Sequence, residues 1–319
     1  MSNFTRLKRS ELPRNTEKIA FNENGDTFHI IMGRDGITEN MQENSAAFEA
    51  WSLVAKAAGY KQVILSETIP TGDLERIKKL HYNRFLYRAS CFNRGFDWFS
   101  ISDELKKKIE DFEKSELTRD LFINAPLSEP KIPNEKSHEA VVESRFTHDT
   151  HREYLNGLLG TKIDKFHRQL PVGLFGERVV SANAIFPRNN AAIDIWGVKG
   201  STFHLIELKV KQKIKHNKDL GVLSEVFFYA CFIYDMCCIR RLERKDPADL
   251  HKHKKDGNYF RGFPQLVSAS IDSVVAYILT ENKHPKLDGA LAELQKHKLE
   301  GIKFAKAICY PLSDTVVKP

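Results

Sequence analysis

Two stretches of strict alternation lie between residues 191 and 210. Ile193 and Ile195 flank Asp194 in the first; Ile206, Leu208 and Val210 interleave with Glu207 and Lys209 in the second. A period of two is the signature of a strand with one buried face. Gly197 and Gly200 punctuate the link, so the pair predicts a β-hairpin. With the turn centred near Lys199-Gly200, Asp194 falls opposite Leu205 and diagonal to Glu207. Alternate side chains share a face, which puts Asp194, Glu207 and Lys209 on one side and Ile193, Ile195, Ile206 and Leu208 on the other. Diagonal neighbours lie roughly 7–8 Å apart, within reach of a shared divalent ion. A slip of one residue would undo the alignment.

Other patterns frame the hairpin. Phe28–Ile31 and Gln62–Leu65 read as strands, Ser45–Ala58 as a helix closed by Gly59, and Asp103–Lys114 as a charged amphipathic helix. Glu139–Gly160 reads as helical, in one piece or two, followed by a strand over Phe166–Phe175 in which Pro171 implies an edge or an interruption. A long helix is expected from Gly221 to Arg241, then a nearly wholly apolar strand at Ser273–Leu279, a helix at Leu287–Lys298 and a last strand at Ile302–Tyr310. The aromatic run Phe85, Tyr87, Phe92, Phe96, Trp98, Phe99 suits a small core better than a base-stacking surface. Pro126–Asn134 is the best linker candidate, giving an N-terminal α+β region (1–130) and a second domain (131–319).

An isolated Glu-x-Lys on a surface strand is an exposed ion pair worth ~0–1 kcal/mol. Here Glu207 sits within Phe203-His204-Leu205-Ile206-Glu207-Leu208-Lys209-Val210, too apolar for a free surface strand. An ionisable residue in such a run needs a partner or a metal. Two carboxylates and an ammonium on one face suit phosphodiester hydrolysis. Mg²⁺ takes one or two carboxylates, keeps several waters and accepts phosphate oxygens, and a nearby cation steadies the developing charge.

At these residues the chain resembles the PD-(D/E)XK nuclease superfamily, from about Glu139 to about Tyr234. A glutamate-bearing helix, a strand, an Asp strand, an E-x-K strand and a helix follow one another in the family's order. Glu225 and Tyr229 stand where the family's Q-x-x-x-Y element has Gln and Tyr; Ile193 stands where its name has Pro. The resemblance implies a restriction-endonuclease-like α/β fold, a mixed central sheet flanked by helices. It implies Asp194 and Glu207 as ligands of Mg²⁺ (or Mn²⁺), with the Leu208 carbonyl completing the set, and Lys209 as the cation that positions water. The helix-borne acid is Glu153 or Glu143, and Thr150-x-x-Glu153 is equally a capping box.

Charge sharpens this reading. Residues 1–130 carry 19 basic and 20 acidic side chains, the remainder 30 and 22, so the net +7 lies with the hairpin. Lys211, Lys213, Lys215 and Lys218 crowd the exit of the E-x-K strand as candidate backbone contacts for a nucleic acid, DNA foremost, and Arg240–Lys255 holds a second basic cluster. The longest apolar run, Val226–Tyr234, is too short to span a membrane, and the first residues lack an apolar signal core. Five cysteines without a C-x-x-C pair fit reduced thiols in a cytoplasmic protein. His148-Asp149-Thr150-His151 lacks zinc spacing, and neither a glycine-rich phosphate loop nor G-x-S-x-G occurs. The expectation is a metal-dependent nuclease. Its rival is a non-catalytic protein binding nucleic acid or a partner on the same scaffold; homo-oligomerisation stays open.

Overall fold

The structure, a computed structural model, describes residues 6–14, 16–43, 45–69, 76–123, 138–187, 191–210, 220–242 and 263–310. The proposed linker and the lysines at 211, 213, 215 and 218 lie outside the described residues.

The N-terminal part is a four-stranded sheet in the order β1-β2-β3-β4. The strands are β1 (Ile19–Asn24), β2 (Thr27–Met32), β3 (Gln62–Glu67) and β4 (Phe99–Ile101). β1 and β2 are antiparallel, and β2, β3 and β4 are parallel. The helices are α1 (Arg34–Thr38), α2 (Phe48–Ala57), α3 (Arg76–Gly95) and α4 (Asp103–Glu116). Gly59 follows α2 at φ +94°, the left-handed stop its sequence implies. The Ser102 hydroxyl caps α4 by accepting from Leu105 N–H.

The second part is a mixed sheet in the order β11-β10-β9-β8-β6, with β12 also on β10. β5 (Leu121–Ile123) pairs separately with β7 (Leu174–Gly176). β6 (Phe166–Pro171), β8 (Ala192–Lys199) and β9 (Thr202–Lys209) form an antiparallel meander. β10 (Ser273–Thr280) runs parallel to β9, as do the short β11 (Ile302–Phe304) and β12 (Ile308–Cys309) to β10. Pro171 ends the edge strand β6, where its missing N–H costs nothing. The apolar β10 lies inside the sheet.

α5 (His138–Phe146) and α6 (Arg152–Leu159) cover one face of this sheet, with Val142, Phe146, Leu155 and Leu159 packed on Ile195, Ile206, Leu208 and Leu279. Gly160 at φ +63° stops α6. The Thr150–Glu153 capping box does not form: the Thr150 hydroxyl bonds the rings of His148 and His151.

The other face packs on α7 (Gly221–Ile233), which continues as a π-helical turn over Tyr234–Ile239. Every residue of α7 is buried. By length and composition the Gly221–Ile239 helix could cross a membrane, contrary to the reading from Val226–Tyr234 alone, yet 83% of its apolar window is buried within the fold. α8 (Phe263–Ser268) and α9 (Leu287–Leu294) complete the layers.

The same hydrophobic core runs from Leu7 to Ala307 without a break at residue 130. α3 and the segment that follows it into β4 deliver the aromatic run into it. The Phe92 ring lies 5.0 Å from Phe227 and 4.7 Å from Phe99, and Tyr87 lies 6.1 Å from Phe228. The charge step near residue 130 is therefore not a step in packing.

His297 sits in this core against Phe96, Phe227 and Phe304, with ring centroids 5.4–5.5 Å away. Leu299 N–H donates to its Nδ1, so the proton is on Nε2, which has no hydrogen-bond partner among the described residues. Burial holds the imidazole down at about 4. A depressed folded pKa contributes stability that is full above the unfolded value of 6.5 and lost as pH falls towards 4. The slope is at most about 1.4 kcal/mol per pH unit from this group. Urea unfolding at pH 7 and pH 4.5 should show a smaller acid loss in His297→Leu than in wild type; equal losses would remove His297 as a cause.

Candidate active site

The site begins with the register of β8 and β9. Lys199 pairs with Thr202 and Ile195 with Ile206, so Gly200 and Ser201 form a two-residue turn with Gly200 at φ +60°. The turn lies one residue beyond the expected centre. That shifts the register by two and brings Asp194 opposite Glu207 rather than Leu205. A shift of two preserves the face, so the expected convergence survives.

The ladder opens there. In place of a backbone pair, Asp194 N–H donates to Glu207 Oε1 (3.4 Å) and Leu208 N–H to Asp194 Oδ2 (2.9 Å). The ladder on the other side of β8 is interrupted at the same level. Gln169, between the pairs Arg168–Ile195 and Leu170–Ile193, adopts φ +53°, a left-handed conformation uncommon outside glycine. Its amide donates to Glu143 Oε2 at 2.9 Å. Asp194 thus stands where both neighbouring ladders give way. On β9 the Lys209 carbonyl is taken by Glu281 N–H. Strand alternation turns the Leu208 carbonyl the opposite way, towards the Asp194 side.

Lys209 is buried with its ammonium 3.0 Å from Glu225 Oε2 and 4.0 Å from Glu207 Oε2. Glu225, on α7, also receives the Gln42 amide from the segment before α2. Tyr229, one turn further along α7, is buried within the fields of Glu225, Glu207 and Asp194.

Five carboxyls share this neighbourhood: Asp194, Glu207, Glu225, Glu143 and Glu139. Burial raises every one of them. For Glu207 the neighbouring Asp194 and Glu225 add to it; for Glu143 burial and Asp194 push the pKa up to about 8. Burial would depress the Lys209 ammonium, but Glu225, Asp194, Glu207 and Glu139 more than offset this and hold it well above the ordinary lysine value. Lys209, with Arg84 acting on Glu225 and Arg168 on Glu143, offsets part of this charge, and protons or a bound cation would balance the rest.

Of the two helix-borne acids, Glu143 on α5 is the one brought to Asp194. Glu153 has a side chain 79% exposed and pairs with Arg152. Glu139 lies one helical turn before Glu143, and that i, i+4 acid pair ahead of Phe146 was the available sequence signal. Gln42 and Gln169 carried none. In the second basic cluster, Arg240 donates to the Leu117 carbonyl and Arg241 pairs with Asp272. Residues 243–255 lie outside the described residues.

Among the described residues, no three His, Cys, Asp or Glu side chains form a ready-made metal cage. Mg²⁺ does not require one, since it is commonly held by one or two carboxylates with water and substrate phosphate completing the shell. The paired Asp194 and Glu207, with surplus negative charge around them, fit such an ion. No protein-family model, curated protein or solved structure matches the chain.

Proposed function

We propose that this protein is a metal-dependent nuclease of the PD-(D/E)XK type, hydrolysing phosphodiester bonds in nucleic acid, DNA foremost. One observation carries the reading: Asp194 and Glu207 face each other across an opened ladder, beside a buried lysine two residues on and amid more carboxyls than that lysine neutralises. Support also comes from element order. The acid-bearing helix α5, the strand β6, the Asp194 strand β8, the Glu207 strand β9 and the buried helix α7 follow in the succession the resemblance implies.

Asp194 and Glu207 would hold Mg²⁺, with the Leu208 carbonyl as third donor. Bound there, the ion would lower the pKa of water and offset charge on the attacked phosphate. Lys209 orients the attacking water and stabilises negative charge on the phosphoryl oxygens. Glu225 holds the ammonium in place. The lysines at 211, 213, 215 and 218 follow directly in sequence and would supply backbone contacts. Five cysteines without a C-x-x-C pair suit a reducing, cytoplasmic setting.

A non-catalytic nucleic-acid- or partner-binding role is the second reading. It is favoured by the Lys209–Glu225 pair, which already gives the lysine a structural partner. The two separate on incubation of labelled DNA and RNA with Mg²⁺ or Mn²⁺. Cleavage abolished by EDTA supports the nuclease, and salt-sensitive binding without cleavage supports its rival.

A further inference from the structure

We propose that Gln42, from the N-terminal part of the chain, is a positioning residue of the hydrolytic site, acting through Glu225 on Lys209. The inference rests on the nuclease reading and places part of the catalytic apparatus outside the hairpin and α7. The geometry is a relay. The Gln42 side-chain Nε2 donates to Glu225 Oε1, and the other oxygen, Oε2, faces Lys209 Nζ at 3.0 Å. With one oxygen held by the amide, the carboxylate cannot rotate freely, and the ammonium it holds stays aligned beside Glu207. A carboxylate offers only acceptors, so the amide must present its NH₂ group.

The segment bearing Gln42 is itself fixed. A Cβ added at Gly221 would lie 2.0 Å from the Gln42 carbonyl oxygen and 2.7 Å from its Cα, so the Gln42 backbone rests directly on the first turn of α7. Three residues along, Ser224 Oγ accepts from Ala50 N–H of α2 at 3.4 Å. Residues 221, 224 and 225 form one helical face, and all three take partners from residues 42–50. Met41, beside Gln42, is fully buried. A segment attached by backbone packing and two polar contacts is suited to aiming a side chain, beyond filling space.

The test is single-turnover cleavage at saturating Mg²⁺ and nucleic acid. Gln42→Met keeps length and packing and removes the donor. Gln42→Glu keeps shape, replaces the donor with an acceptor, and stands in if the first variant unfolds. Either should slow the chemical step by about tenfold or more while nucleic-acid affinity and its salt dependence stay at wild-type values. In a Glu225→Met background the Gln42→Met change should cost little further, because the relay is already broken. A wild-type single-turnover rate in a folded Gln42 variant, or an equal loss in both backgrounds, overturns the inference and leaves the nuclease standing. Wild-type protein that cleaves no nucleic acid with either metal overturns both.

Discussion

Asp194→Asn and Glu207→Gln should each abolish metal-dependent cleavage and, without metal, make the protein more stable than wild type. Each substitution removes a ligand of the ion that activates water, an interaction worth several kcal/mol in the transition state. At 1.36 kcal/mol per factor of ten, the expected fall is about a thousandfold or greater. The stability effect has the opposite sign because the folded state holds both carboxyls above their ordinary pKa. A raised folded pKa contributes stability that is present below the unfolded value, near 4, and lost as pH rises through the folded value. Neutral isosteres escape that loss while keeping an oxygen to accept Leu208 N–H or Asp194 N–H. Their thermal advantage should therefore grow from pH 5 to pH 8, by about 1.5 °C for each kcal/mol of repulsion relieved in a cooperative unit of this size. Cleavage at the wild-type rate by either variant, at matched metal and salt, removes the assigned site. Lower metal-free stability at pH 8 in both would instead mean that the carboxylates are already compensated.

A fragment starting near Lys131 should fail to fold. Taken alone, the alternation over Glu139–Tyr310 and the charge step near Pro126–Pro133 predict a fragment that folds and binds nucleic acid by itself. The packing says otherwise. Removing residues 1–130 strips α2 and α3 from α7 and uncovers apolar side chains including Phe227 and Phe228. Each large apolar side chain returned to water costs about 1.5–3 kcal/mol, and a whole domain has only about 5–15 kcal/mol to lose. The hydrogen bonds from Tyr87 to Asp235 and from Asn83 to the Ile185 carbonyl go too. The fragment should be insoluble, or soluble without a cooperative unfolding transition. A cooperatively unfolding fragment would show that the shared core is dispensable.

The legible and illegible parts of the fold divide on physical lines. Alternation over residues 195–210 predicts which side chains share a face, because a period of two survives any even slip. For the same reason it could not choose between registers two apart; the Gly200-Ser201 turn made that choice. The alternation fails at Ile193, which, past the interruption at Asp194, packs in a different part of the core from Ile195, Ile206 and Leu208. The helix over Arg76–Gly95 is foreshadowed by Phe85, Ala89, Phe92 and Phe96, spaced for one helical face, although the aromatic run by itself predicts only core material. Glu143 competed with Glu153 because local sequence offers Glu153 an equally good role, a helix cap that the Thr150 hydroxyl leaves unmade by bonding two histidine rings. The contact between Gln42 and Glu225 spans 183 residues, so no local pattern foreshadows it. The reach of the core across residue 130 was hidden likewise, since charge and proline content report on surface and linker and say nothing of which apolar faces meet.

Mn²⁺ soaked into crystals of the protein tests the central claim most directly, because its anomalous signal locates the ion without reference to activity. The expected result is a peak beside Asp194, Glu207 and the Leu208 carbonyl, the groups that would hold the ion, with Lys209 still on Glu225. No peak there at saturating Mn²⁺, with the hydrogen bonds among Asp194, Glu207 and Leu208 intact, would contradict it and leave the buried acids and their lysine as a structural ion-pair network.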